Sequence, residues 1–254
     1  MKILINTITA KKHAGKPSER ICNVLPGVFK NMDTTPIKED DWINVACVGN
    51  PVPHKNFDIL PKVIEKLDKL GISNVRFHTT IPFDSPMIDK VITPLVQNGF
   101  QYRIFNHGRI TQAELGEMYR RCQLCFLPTL LEVFSASTVE AMYYSLPIVA
   151  TNFDFNKVVL GDSSLYYEPK NANDSAMQLE KLIKNVSLQD ECKDKMKIQL
   201  MRYNDYDAHF NSIKNFLMNI ALIHRGRVKY RASISCVLTT TVRPLYNDYR
   251  RAAA

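Results

Sequence analysis

From Trp42 onward, short apolar segments alternate with longer segments whose apolar residues recur at helical spacing. The short segments run about five residues and the helical ones about twelve, as expected of strands and helices. Strands that alternate with helices favour a parallel sheet covered by helices on both faces. The predicted strands are 43–49, 74–80, 101–106, 124–128, 147–151 and 164–169, and the predicted helices are 56–71, 87–98, 111–122, 135–145 and 173–186, with a helical pattern continuing to about Ile223.

Sheets of this kind bind ligands at the carboxyl ends of their strands, where the strand order reverses. The loops after Gly49, Phe105, Pro128 and Thr151 are therefore the candidate binding loops. No GxGxxG sequence follows a predicted strand, which weighs against a redox enzyme that uses a dinucleotide, and no Walker A sequence is present.

The charge of the chain is concentrated at its end. Of the formal net charge of +8, the segment 225–251 carries +6, from six Arg and one Lys against one Asp. The rest shows no basic stripe interleaved with aromatic residues, so we expect no nucleic-acid partner. The basic tail is a candidate for peripheral contact with anionic lipid, and a solvated tail is the alternative.

The six cysteines form no disulfide framework, which favours a reducing, cytoplasmic compartment. Cys122 and Cys125 form a lone CxxC without a second ligand pair, so we expect no metal; we interpret Cys122 as ending a helix and Cys125 as part of a buried strand. No apolar run approaches the ~18 residues that a membrane span requires.

Two glutamates, Glu132 and Glu140, are separated by seven residues around the start of the helix 135–145. A helix N-terminus presents free N–H groups and a positive dipole end, which suit a phosphate. Carboxylates on either side can accept hydrogen bonds from sugar hydroxyls, so the pattern favours a nucleotide-sugar. Two alternatives remain open: Ser137-x-x-Glu140 is also a capping box, and Glu132 can be a solvated loop carboxylate.

The segment "PTLLEVFSASTVEAMYYSLPIVAT" resembles the E-x7-E segment of retaining GT-B glycosyltransferases, also called group 1. Further similarity lies, in the family's order, in "VGNPVPHKNFDIL", "FNHGRITQAELGEMYRRCQLCFLP" and "GDSSLYYEPKNANDSAMQLEKLI". The resemblance covers roughly residues 23–222 and implies a Rossmann-like domain corresponding to the C-terminal, donor-binding half of a GT-B fold.

The resemblance also implies roles for individual residues. Glu132 would contact the hydroxyls of the donor sugar and Lys55 would neutralise the diphosphate, so these two are the predicted catalytic residues. Glu140 would hold the ribose. The remaining predicted donor-binding residues are Gly49, Asn50, Val133, Phe134 and Ser135 around the phosphates, and Gly108, Arg109 and Ile110 beside the base. No cofactor or metal is implied, because Lys55 and the helix N-terminus take the place of a cation.

Some positions depart from the family pattern. Asn50 stands where related enzymes commonly have an Arg, which removes one phosphate cation. Val133 and Ser135 stand where many have Gly, and Ser145 replaces another frequent Gly. We therefore expect a phosphate pocket that is tighter or differently shaped.

Most of the family's N-terminal domain is not recognisable. We divide the chain into 1–22, a remnant of that domain that opens with the predicted strand "MKILINTITA", 23–222, the nucleotide-sugar-binding domain, and 223–254, the basic tail. Phe210, Ile213, Leu217 and Ile220 form an apolar helical stripe, which predicts association with another chain or a second copy; an ordinary core-facing stripe is the alternative.

The predicted function is transfer of a sugar from a nucleotide-diphosphate sugar to a saccharide or lipid-linked acceptor, with retention at the anomeric carbon. The alternative is a binding module that holds the nucleotide-sugar, or a partner, without turnover.

Overall fold

The computed structural model describes residues 33–201 apart from 39, 133 and 134, together with residues 210, 211, 214, 215 and 218. The chain divides into two units, Asn31–Leu200 and a second one formed by Met1–Lys30 with Met201–Ala254. Nearly all of the second unit lies outside the described residues, including the predicted strand at the start of the chain and the basic tail. In the predicted apolar stripe only Phe210 is described, and it is exposed.

Asn31–Leu200 is built on a six-stranded parallel sheet with the strand order β3-β2-β1-β4-β5-β6. The short apolar runs of the sequence form these strands because both faces of the sheet are covered, so most strand positions are apolar. The strands are β1 (Ile43–Cys47), β2 (Val75–Thr79), β3 (Ile104–Asn106), β4 (Leu124–Leu127), β5 (Ile148–Thr151) and β6 (Ser164–Tyr167).

Helices follow the strands and surround the sheet. The chain moves in one direction from β1 to β3 and in the other from β4 to β6, and right-handed crossovers then place the connecting helices on opposite faces. Accordingly, α1 packs against α2 and α6, whereas α7 packs against α4, α5 and α6. The helices are α1 (Leu60–Lys69), α2 (Met87–Gln97), α3 (Gln112–Arg121), α4 (Ala136–Tyr143), α5 (Asp154–Leu160), α6 (Ala172–Lys184) and α7 (Val186–Leu200).

The core lies where these helices meet the sheet. Phe77, Phe126 and Tyr167 come from three different strands and are all fully buried. The rings of Phe77 and Phe126 meet edge to face at 6.0 Å, and those of Phe126 and Tyr167 stack at 5.5 Å. Buried rings of this size supply a large share of the apolar area that stabilises a domain.

The predicted parallel sheet is confirmed, with three local corrections. Residues 101–103 form a 3-10 turn rather than the start of a strand, so β3 is only three residues long. The helix α5 was not predicted, because at seven residues it is too short for a helical period to stand out. The helical pattern after residue 173 is two helices, with the break at Asn185.

Other predictions hold. Cys122 follows the last residue of α3, Cys125 lies in β4, and both are buried. Thr111 and Glu114 form the expected capping box of α3. Among the described helices, none combines the length and the apolar character that crossing a membrane requires.

Arg103 fastens the edge of the sheet that carries β2 and β3. It is 5% exposed, and its Nε and Nη2 donate to the carbonyl oxygens of Val75 and Ile72 at 2.7 Å. Its Nη1 donates to Asp68, whose side chain is 45% exposed. The buried guanidinium therefore supplies hydrogen-bond donors to two backbone carbonyl groups.

Replacing Arg103 with Met should lower the free energy of unfolding by about 2–4 kcal/mol, because two buried carbonyl groups lose their donors. Asp68→Asn is the matched control, and we expect a change below about 1 kcal/mol because that end of the contact is exposed. Urea denaturation of the three proteins measures both values. Equal losses in the two variants would show that the carbonyl contacts do not stabilise the sheet edge.

Candidate functional site

The loops after β1 and β4 meet because these strands are neighbours at the point where the strand order reverses. Val45 pairs with Leu124 and Ala46 with Cys125, so the two strands run side by side in the same direction. Two hydrogen bonds, one between backbone groups and one from a side chain to the backbone, join the loops that follow. The N–H of Leu130 donates to the carbonyl of His54 at 2.7 Å, and Asn56 Nδ2 donates to the carbonyl of Pro128 at 3.2 Å.

Lys55 and Glu132 form an ion pair across this junction, and their side chains are only 16% and 12% exposed. Thr129 Oγ1 lies 3.2 Å from the same Glu132 oxygen and can donate to it. Gly49 lies beside Lys55, such that a Cβ there would be 3.5 Å from Lys55 Cδ and Cε. The structure thus brings together three predicted site residues, with the Lys ammonium and the Glu carboxylate in contact.

Lys55 occupies this place because of a tight local turn. Residues Pro53–Lys55 form one 3-10 turn and Phe57–Ile59 another, and Asn56 between them has a left-handed backbone with φ of 56°. Asn tolerates this conformation better than most residues do. The turn buries Phe57 and leaves Lys55 facing the loop after β4.

The start of α4 closes the other side of a small cavity next to Lys55. Ser135 is the N-cap residue, and its side chain makes no capping bond but lies 2.9 Å from Ser137 Oγ. The cavity is about 10 Å³, room for about one water molecule. Its lining includes Lys55, Pro128, Thr129, Ser135 and Ser137. Val133 and Phe134, both predicted to bind the donor, lie outside the described residues.

Glu140 lies one turn further along α4 and faces α3. Its Oε2 accepts a hydrogen bond from the hydroxyl of the buried Tyr119 at 3.1 Å. The side chain of Gln112 lies close enough to lower the pKa of Glu140. Burial raises the pKa of Glu140, and these two side chains lower it part of the way back. The capping-box alternative is wrong, because Ser137 is the second residue of the helix rather than its N-cap.

The predicted base loop follows β3. Gly108 is buried with φ of 70°, a conformation that favours glycine. Arg109 is exposed and pairs with Asp84 at 3.1 Å. Because Gln112, at the start of α3, lies close enough to Glu140 to lower its pKa, the segment 108–112 lies next to the predicted ribose carboxylate.

Asn50 is exposed, and its carbonyl accepts the N–H of Val52 in the turn after β1. Among the described residues, no three His, Cys, Asp or Glu side chains are grouped as metal ligands.

Sequence reasoning missed the side chains that hold the two glutamates. Thr129 comes two residues after the end of β4. This position is only a weak sequence indication of a residue at the carboxyl end of the sheet. Gln112 is the first residue of α3 and Tyr119 lies two positions before its last residue, and nothing in their spacing indicates a contact with Glu140. These contacts depend on how α3 and α4 pack on the same face of the sheet.

A pair of histidines lies beneath the base loop. His78 Nε2 is 2.9 Å from Asn44 Oδ1, and His78 Nδ1 is 2.9 Å from His107 Nε2. Because Asn44 Oδ1 can only accept, His78 Nε2 carries the proton and Nδ1 accepts from His107. Burial, then the charge of His107, lowers the pKa of His78 to about 4.

Comparison with known proteins identifies the family. The model of the family described as glycosyl transferases group 1 matches residues 29–199, more than half of the chain. The chain therefore belongs to the group 1 glycosyltransferases.

An uncharacterised glycosyltransferase of Methanocaldococcus jannaschii is 29% identical over 152 residues, which are 59% of this chain and 41% of that protein. The fold is similar to that of a mutant of S. aureus TarM in complex with Fondaparinux, alpha-GlcNAc-glycerol and UDP, with a TM-score of 0.69, 19% identity, and coverage of 84% of this chain and 43% of TarM. It is also similar to the C-terminal domain of a group 1 family glycosyl transferase (LpcC) from Francisella tularensis, with a TM-score of 0.55, 17% identity, and coverage of 65% and 87%.

The Rossmann-like sheet therefore matches the C-terminal domain of GT-B glycosyltransferases. The chain spans less than half the length of the Methanocaldococcus protein and of TarM.

The histidine pair predicts a measurable loss of stability in acid. His78 has a pKa of about 4 in the folded chain against about 6.5 when unfolded. Between these values only the unfolded chain takes up the proton, so the free energy of unfolding should fall as the pH drops from 7 to 4.5, by up to about 1.4 kcal/mol per pH unit.

In His78→Gln the side chain keeps a donor and an acceptor but does not titrate, so the decrease between pH 7 and pH 4.5 should be shallower. Denaturant midpoints measured across this range give both slopes. If wild type and variant lose stability in parallel, His78 does not carry the effect.

Proposed function

We propose that Asn31–Leu200 is the donor-binding half of a glycosyltransferase that transfers a sugar from a nucleotide-diphosphate sugar to a saccharide or lipid-linked acceptor, with retention. In this proposal the diphosphate lies at the start of α4, with Val133, Phe134 and Ser135 around it. Lys55 faces the phosphates, and Glu132 accepts hydrogen bonds from the donor sugar. Glu140 holds the ribose, and the loop Gly108-Arg109-Ile110 flanks the base.

The observation that carries the proposal is the Lys55–Glu132 contact at the strand-order reversal, beside the N-terminus of α4. A cation, an acceptor of hydroxyl hydrogen bonds and a helix N-terminus are the three groups that a sugar diphosphate requires. Glu140 supports the same reading, because it is a half-buried carboxylate that accepts a hydrogen bond from Tyr119 and forms no ion pair with any of the described residues.

The chemical work proposed for these residues is electrostatic. When the bond between the anomeric carbon and the phosphate oxygen breaks, negative charge develops on the leaving diphosphate. The ammonium of Lys55 and the N–H groups of α4 stabilise that charge from fixed positions. The acceptor hydroxyl oxygen forms the new bond to the anomeric carbon, and its proton passes to the oxygen of the leaving diphosphate. During this step Glu132 accepts hydrogen bonds from the hydroxyls of the donor sugar and so keeps the sugar in a fixed orientation.

A second candidate is a module that binds nucleotide-sugar without turnover. It is favoured by the small cavity at the site and by the missing cation at Asn50. Turnover requires Lys55 to leave Glu132 for the diphosphate, whereas binding of the nucleoside part alone does not. Of the residues that carry the predicted associations with a second chain and with anionic lipid, only Phe210 is described, and both associations remain proposals.

Titration of the purified chain with a panel of nucleotide-sugars and nucleoside diphosphates tests the proposal. We expect binding, and Lys55→Met should weaken a nucleoside diphosphate by about tenfold or more while leaving the nucleoside unaffected. Release of nucleoside diphosphate from a bound donor then separates the enzyme from the module. The anomeric configuration of any product, read by NMR, tests retention. Absence of binding to every member of the panel contradicts both candidates.

Glu140→Gln should weaken the nucleoside diphosphate that binds in this panel by about tenfold, because a charged acceptor of ribose hydroxyls becomes neutral. The 2′,3′-dideoxy form of the same nucleotide lacks those hydroxyls, so wild type and variant should bind it equally. Calorimetric titration gives the four affinities, and thermal unfolding controls for loss of structure. A variant that weakens both nucleotides equally would assign Glu140 a structural role only.

A further inference from the structure

Phe83 lies in the loop after β2 and is 72% exposed. A single exposed apolar residue is common on a protein surface and has no meaning by itself. Phe83 differs from a typical exposed apolar residue because its ring packs against the backbone of Gly108 in the loop after β3. A Cβ at position 108 would come within 2.5 Å of Phe83 Cε2, so only glycine lets the ring lie there.

The loop that carries Phe83 is fastened on several sides. Asn106 donates from Nδ2 to the carbonyl of Ile81 at 2.8 Å and accepts the N–H of Ile81 at 2.9 Å. Phe83 itself lies inside a turn closed by the N–H of Ser85 and the carbonyl of Pro82 at 2.9 Å. The ion pair of Asp84 with Arg109 ties the same loop to the residue after Gly108. The ring is therefore presented on a braced backbone.

The position of the ring relates it to the proposed donor site. Thr80, at the start of this loop, exchanges hydrogen bonds with the N–H and carbonyl of Gly49, which lies beside Lys55. Gly108 begins the segment that ends at Gln112, and the side chain of Gln112 lies close to Glu140. The loop of Phe83 thus connects on one side with the proposed phosphate site and on the other with the loop next to the proposed ribose carboxylate.

We propose that Phe83 is a specificity-determining residue that stacks on the nucleobase of the donor. The inference rests on the proposed function, since it requires a nucleotide in this site. A flat base gains about 1–3 kcal/mol from stacking on an aromatic ring. An aromatic ring that is braced in advance loses little entropy when the base arrives. The loop Gly108-Arg109-Ile110 then borders the base, and Phe83 covers its π-face.

Affinity measurements with Phe83→Leu test this assignment. Leucine keeps an apolar side chain but removes the aromatic ring, so affinity for the nucleoside diphosphate should fall at least about fivefold. Affinity for ribose 5-phosphate, which has no base, should stay within twofold of wild type by the same reasoning. Tyr102→Leu is the matched control, because Tyr102 is 70% exposed but precedes β3, at the opposite end of the strand, and we expect no change in either affinity.

Phe83→Trp supplies a direct optical readout. The wild-type chain has one tryptophan, Trp42. It comes just before β1, at the amino ends of the strands, whereas the loop of Phe83 follows β2, at their carboxyl ends. Nucleoside diphosphate should quench the fluorescence of the variant and leave that of wild type unchanged. If wild type binds nucleotide but Phe83→Leu binds it equally well, or the tryptophan at position 83 is not quenched, the stacking role is refuted and the proposed function stands. If wild type binds no nucleotide at all, both fail.

Discussion

The pairing of β1 with β4 is the constraint on which the site depends. The strand order reverses at this pair, so the chain leaves β1 and β4 in opposite directions. No described helix lies over the junction, and the loops after the two strands meet there. Lys55 comes from one loop and Glu132 from the other, although 76 residues lie between them in the sequence. The same reversal sends α1 and α4 to opposite faces, which leaves the N-terminus of α4 at the junction.

The contact between Lys55 and Glu132 has a consequence for binding. Both side chains are mostly withdrawn from water, so each requires a partner of opposite charge or good hydrogen bonds. A sugar diphosphate offers both at once, with phosphate oxygens for the ammonium and hydroxyls for the carboxylate. Binding of the proposed donor therefore exchanges one set of contacts for another rather than adding contacts to exposed groups. Glu140 is held separately by Tyr119, and its place does not depend on this exchange.

The sheet could be predicted because most strands are short apolar runs and β2 (Val75–Thr79) alternates apolar with polar residues, and these patterns do not depend on distant residues. The start of α3 was equally readable, since Thr111 and Glu114 form a local capping box. The seven-residue α5 carries too little periodicity to be found. The glutamates were located by their sequence pattern, but their partners are set by tertiary packing. The position of Phe83 could not be predicted from the sequence, because its ring packs in the space left by the missing side chain of Gly108, which lies in a different loop.

The central claim is that a diphosphate lies at the start of α4 between groups that hold the two sugar rings. A crystal structure of the chain soaked with the tightest-binding nucleoside diphosphate tests it most directly. We predict the β-phosphate at Ser135, Lys55 separated from Glu132 and bonded to a phosphate oxygen, and Glu140 at the ribose hydroxyls. A nucleotide bound elsewhere, with the Lys55–Glu132 pair intact, would contradict the claim.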